Sequence, residues 1–169
     1  MKKVYIAGSF YKNGDSLKDD FRTELLGDEK KLWNECEAYV NVFGETMKYV
    51  GPFFYYPERE KTMEDLTEQE VVVKQEKEAV KNCDIFVGYL GEKSSHGTVA
   101  ELMHAVELGK EVYLYYAKKE NERDIKSEYW FPMLMAREIA KENDMRFMMK
   151  EVNGAKEFLE CIKRVFGMY

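Results

Sequence analysis

Apolar positions along the chain alternate between short unbroken runs and stripes at threes and fours. The run KVYIAG, Lys3 to Gly8, reads as a buried strand that ends in a small-residue turn at Gly8-Ser9. From Ser16 to about Phe43 the spacing is helical, with Leu32, Trp33, Cys36, Tyr39, Val40 and Phe43 in step. Gly27-Asp28 divides that segment into two helices. YVGPFFYYP, Tyr49 to Pro57, is the second strand, and Pro52 inside it argues for an edge or an irregular start. Thr67 to Cys83 follows as a helix, and DIFVGYL, Asp84 to Leu90, as a central strand. Thr98 to Leu108 is a helix closed by Gly109, and EVYLYYA, Glu111 to Ala117, is the fourth strand. Charged residues 118 to 128 form a solvated connection. Glu128 to about Asn143 is helical, RFMMKEV is the fifth strand, and Ala155 to Phe166 is the last helix.

Strands that alternate with helices predict a doubly wound, parallel five-stranded α/β sheet of the flavodoxin or Rossmann-like kind. The 169 residues carry no internal repeat or linker and are expected to form one domain, residues 1–169. Ligands of such sheets sit outside the carboxyl ends of the strands, where strand order reverses. If the first and third strands are central neighbours, the loops at Ser9 to Asp15 and Gly91 to Gly97 flank that crevice. Composition narrows the partners. A net charge of −6 without a dominant basic block argues against a nucleic-acid polymer. Three cysteines without paired spacing suggest neither a disulfide framework nor a zinc cluster. No run approaches the ~18 apolar residues of a membrane span, and MKKVYIAG is too short for a signal peptide. The expected setting is soluble, reducing and cytoplasmic, with no membrane partner.

Two carboxylates stand out. Thr98-x-x-Glu101 has the spacing of a capping box, as does Thr67-x-x-Glu70 at another helix start. Glu101 is equally placed to be a carboxylate displayed at a strand end, kept ionised by the helix N-terminus. Glu76 stands four residues from both Val72 and Val80, inside an apolar stripe with Val73, Ala79 and Cys83. It is either a boundary glutamate with its head in water or an acid whose pKa burial raises toward neutrality. One ionised and one protonated carboxyl make the pair that glycosidic bond cleavage through a covalent intermediate requires.

The sequence resembles the nucleoside 2-deoxyribosyltransferase family and its N-glycosidase relatives at four places in order. VYIAGSF is similar to the first strand, with Tyr5 three residues before Gly8. EKEAVKNCDIFVGYL keeps an acidic residue, Glu76, eight positions before Asp84. SSHGTVAELMHAVELGKEVYL resembles the nucleophile segment, and the strand-helix ending has the expected length. Only a lengthened region around residues 27 to 50 is without a counterpart. The resemblance implies that Glu101 attacks C1′ of a bound deoxyribose to form a glycosyl ester. Glu76 would protonate or hold the departing base, and Tyr5 would orient Glu101. Gly8, Ser9, Phe10, Asp84, Ser95, His96, Gly97 and Thr98 would bind substrate. No metal or organic cofactor is implied. A homo-oligomer built from dimers is.

The implied activity is transfer of deoxyribose from one nucleobase to another. Departures from the family pattern bring in two alternatives. Ser95 stands where an aspartate often contacts the sugar, and Ser9 where proline is usual. Both match the branch that hydrolyses 2′-deoxynucleoside 5′-monophosphates, and both also suit ordinary turn hydrogen bonding. Met103 replaces a glycine two residues after Glu101, and Met133 stands where an asparagine would reach a neighbouring subunit. A non-catalytic nucleotide-binding module is therefore the third reading. A metal site on Glu101, His104 and Glu107 is not expected, because that spacing drifts around the helix.

Overall fold

The computed structural model describes residues 1–55, 67–91, 95–118 and 123–164. Loop residues 92–94, part of the charged connection (119–122), Pro57 and the expected helix end at 165–166 lie outside the described residues. The chain runs β1 (Lys3–Ala7), α1 (Phe21–Leu26), α2 (Lys30–Trp33), β2 (Ala38–Val42), β3 (Glu45–Gly51) and α3 (Glu68–Asn82). It continues through β4 (Ile85–Leu90), α4 (His96–Glu107), β5 (Glu111–Ala117), α5 (Ile125–Glu128), α6 (Trp130–Glu142), β6 (Phe147–Val152) and α7 (Ala155–Lys163).

The strands form one mixed sheet in the order β2-β3-β1-β4-β5-β6, parallel except for β2 against β3. The doubly wound class is as expected, but the sheet has six strands rather than five. The additional strand lies where the sequence reads as helix. Ala38, Val40 and Val42 are buried while Tyr39 and Asn41 are exposed, which is the period of a half-buried antiparallel strand. Phe43 and Gly44 turn that strand into β3 with φ of 55° and 79°. Positive φ at both central residues is what a tight hairpin turn demands. The second strand also starts four residues earlier than expected and stops at Gly51, before Pro52.

Every residue of β4 is buried, because helices cover both faces of the central strands. On β4, Phe86 faces Tyr5, α3 and α4, whereas Tyr89, an odd number of positions on, faces α1 and α7 through Phe21 and Phe158. From β1 the sheet extends to β3 on one side and β4 on the other. The reversal of strand order, and so the crevice, falls between β1 and β4. Among the described residues, no helix is long and apolar enough to cross a membrane.

Candidate active site

Tyr5 is the floor of the crevice. Its ring is fully buried and stacks on Phe86 at 5.8 Å between centroids. On its other side runs the backbone of Gly51, where a Cβ would come within 3.0 Å of the ring. Gly51 also has φ of 143°, so both its conformation and its contact need the missing side chain. Wedged between β3 and β4, the ring sends its hydroxyl toward α3 and α4. There it lies 2.7 Å from Glu101 Oε1 and in close contact with Glu76 Oε2. The three residues that the sequence singles out as catalytic therefore meet at one phenolic oxygen.

Both carboxylates line a cavity of about 350 Å³ between α3 and α4, walled by Val72, Val73, Val80 and Ala100. Their local settings differ from the expectation in three ways. Only the C-terminal part of the stripe around Glu76 is buried, at Val80 and Cys83, whereas Val72 and Val73 are exposed and Val71 and Gln75 are buried instead. Helix α4 begins at His96 with Ser95 as its N-cap residue, so Thr98 lies inside the first turn and Glu101 in the second. No Thr98–Glu101 capping box forms, whereas Thr67 and Glu70 make one at the start of α3. One turn in from the helix end, Glu101 gains little from the N-terminal N–H groups. Burial, and then the neighbouring charge of Glu76, push its pKa up to about 8, against the pull of the Tyr5 hydrogen bond and Arg22. Glu101, expected to be the ionised member, is thus the one whose pKa is raised.

Beneath the loop after β1 is a feature that the sequence reading missed. Arg22 is fully buried and fixed to Asp20 by Nε–Oδ1 and Nη2–Oδ2 contacts of 2.8 and 2.9 Å. Its remaining N–H groups donate to the carbonyls of Ile6, Gly8 and Ser9 at 3.0–3.3 Å. Asp20 also accepts the N–H of Tyr11. One guanidinium thus ties the end of β1 and its loop to α1. Phe10 lies on the same group, 4.0 Å from ring centroid to guanidinium carbon.

The expected substrate-binding residues divide. Gly97 lines the carboxylate cavity. Ser95 and Thr98 are buried at the start of α4, where the Ser95 N–H donates to the Tyr129 hydroxyl, and His96 is exposed with its ring edge-on to Tyr129. Gly8 packs so closely on Phe21 that a Cβ would come within 2.9 Å of that ring. Ser9 lines a second cavity, of about 300 Å³, on the opposite face of the sheet with Phe21, Tyr89 and Gly91. Asp84 does not join the cluster. It precedes β4 at the amino end of the strand, where its carboxylate accepts the Lys3 N–H at 2.7 Å. Met133 is buried in the core rather than reaching outward.

No protein-family model matches the chain, and no curated protein does. A solved structure of a CMP N-glycosidase, BcmB, from Clostridium botulinum is similar to it with a TM-score of 0.46 and 18% identity. That alignment covers 94% of this chain and 96% of that chain. A likeness of this degree says nothing about substrate.

Two of the missed residues had some trace in the sequence. A glycine inside a strand, here Gly51, signals close approach of a neighbour. Phe86 faces Tyr5 because its position on β4 pairs with Tyr5 across the parallel ladder. Asp20 and Arg22 left no trace, because an aspartate two residues before an arginine is ordinary at a helix start. Among the described residues, no group of three or more His, Cys, Asp or Glu side chains is placed to hold a metal ion.

Proposed function

We propose that the chain cleaves the N-glycosidic bond of a nucleoside-type substrate through a glycosyl ester on Glu101. The observation that carries this reading is the contact of two carboxyl groups with one phenol in an apolar cavity at the switch point. Two hydrogen bonds to one oxygen hold carboxyl oxygens within roughly 5.5 Å, the short spacing of retaining glycoside cleavage rather than the ~6.5–9.5 Å of inverting enzymes. Glu101 is the nucleophile and Glu76 the acid for the leaving base. The buried hydroxyl of Tyr5 fixes the direction of the Glu101 carboxyl. Apolar walls lower the polarity around Glu101 and so strengthen the stabilisation of the oxocarbenium-like transition state by the carboxylate.

The acceptor for the glycosyl group is a second nucleobase, as the resemblance implies for 2′-deoxynucleosides. A specific feature favours a second reading, hydrolysis of a 2′-deoxynucleoside 5′-monophosphate. Ser95 is buried as the N-cap residue of α4, and the N-terminus of a helix suits an anionic group. Incubation with deoxynucleosides, with and without an added base, and then with deoxynucleoside monophosphates separates the two when the bases are resolved by chromatography. Exchange that depends on added base supports transfer, and base release from monophosphates alone supports hydrolysis. Glu101→Ala is expected to lower either rate by about 10³-fold or more. Turnover at the parental rate in that variant sinks the mechanism, and nucleotide binding without turnover in the parent supports the non-catalytic module.

A further inference from the structure

The hydroxyl of Tyr5 carries one proton, yet it contacts two carboxyl groups. With both carboxylates ionised it can donate to only one of them. The other contact would then press a phenolic oxygen against an anionic oxygen, which is repulsive in a largely apolar cavity. Both contacts become hydrogen bonds when one carboxyl is protonated and donates to the Tyr5 oxygen, while the Tyr5 O–H donates to the other carboxylate. We propose that Glu101 and Glu76 hold a single proton between them at neutral pH, resting on Glu101, and that Tyr5 is the path by which it passes to Glu76.

The exchange balances within three side chains. The Glu101 carboxyl gives its proton to the Tyr5 oxygen, and the Tyr5 O–H gives its own to Glu76. Tyr5 is neutral before and after, and the pair keeps one negative charge throughout. The shift converts Glu101 from an inert acid into a carboxylate and Glu76 into an acid. The rest of the sequence rests on the glycosidic reading. An oxygen of Glu101 bonds to C1′, the C1′–N electron pair leaves with the base, and that base takes the proton from Glu76. Positive charge developing at C1′ draws the negative charge of the pair onto Glu101, so substrate itself supplies the bias.

The groups that face Glu101 agree with this resting state. Glu76 from α3 opposes a second negative charge, and burial acts in the same direction. Tyr5 from β1 and Arg22 from α1 favour the ionised form but do not prevail. Lys77 and His104 line the same cavity, on α3 and α4.

Infrared spectroscopy of the full chain tests the inference without substrate. A protonated-carboxyl C=O band is expected at pH 7, lost as pH rises through about 8 and absent in Glu101→Gln. In Glu76→Gln its midpoint falls to lower pH, because the repelling charge is gone. In Tyr5→Phe the band moves to the position of a carboxyl without a phenol partner. Turnover of that variant at pH 7 falls by about 10²-fold or more, and its high-pH limb moves away from that of the parent. Absence of the band in the parent at pH 7 overturns the shared proton. A Tyr5→Phe variant whose band and pH–rate profile overlay the parent overturns the relay. If the parent shows the band but turns over no nucleoside or nucleotide, the proton pairing stands and the glycosidic reading falls. The Tyr5→Phe band then decides the relay, and an unshifted band overturns it.

Discussion

Glu101 is costly to the fold in the form that its proposed chemistry needs. Burial pushes its carboxyl up to about 8 in the folded chain, against the ordinary 4.5 that stands for the unfolded one. Between those pH values the unfolded chain has released a proton that the folded chain still holds. Stability therefore falls as pH rises across this window, by at most ~1.4 kcal/mol per pH unit from this group, and levels off above it. Glu101→Gln keeps the shape and removes the titration. The variant is expected to gain stability relative to the parent steadily from about pH 4.5 to about pH 8 in chemical denaturation. A difference between the two that is independent of pH would show that Glu101 ionises normally. At this scale the sequence was informative about identity and silent about state. Glu76 and Glu101 stood out by spacing and Tyr5 by the family resemblance, but the raised pKa of Glu101 depends on burial and on a neighbour 25 residues away, and neither leaves a mark in the pattern.

At the level of elements, α1 owes its place to the buried Asp20–Arg22 pair. Asp20 caps the helix through the Arg22 N–H, and Arg22 carries the loop after β1 on three carbonyls. Removing one member leaves the other charged and dry, which costs about 3–5 kcal/mol. Arg22→Met is expected to destabilise by that order, and Asp20→Asn together with Arg22→Met by clearly less than the sum of the single changes. A double-mutant cycle in denaturant reads the coupling, and strict additivity would mean that the pair does not act as one unit. Element boundaries were legible where local chemistry decides them. Thr67 begins α3 with the capping box that its spacing spells. The same spacing at Thr98 misleads, because the helix has already begun at His96. The β2–β3 hairpin was missed for a related reason. Cys36, Tyr39, Val40 and Phe43 follow a helical period while Ala38, Val40 and Val42 follow a strand period, and only pairing with a distant partner, Tyr39 with Lys48 and Val40 with Met47, selects the second.

For the whole molecule, the order of strands and helices placed the crevice between the first strand and the strand DIFVGYL on the condition that the two are neighbours, and the sheet order meets that condition. The surface is less easily read from pattern. Helix α6 leaves Trp130 57% and Phe131 56% exposed, with Leu134 and Met135 exposed further along it, and α3 leaves Val73 64% exposed. Helix α4 packs against both of these helices, so the three cover one face of the sheet. Apolar side chains this large are seldom gathered on the surface of a chain that stays single. The resemblance to an oligomeric family leads to the same expectation. Sedimentation equilibrium is expected to give a mass of at least twice the 20.0 kDa of one chain. A charged substitution at an exposed position, Phe131→Glu, should shift the equilibrium toward the single chain while far-ultraviolet circular dichroism stays unchanged, because that ring supports no part of the described core. A parent chain that sediments as a monomer at every concentration would refute the expectation, and a Phe131→Glu variant that associates as tightly as the parent would move the contact away from α6.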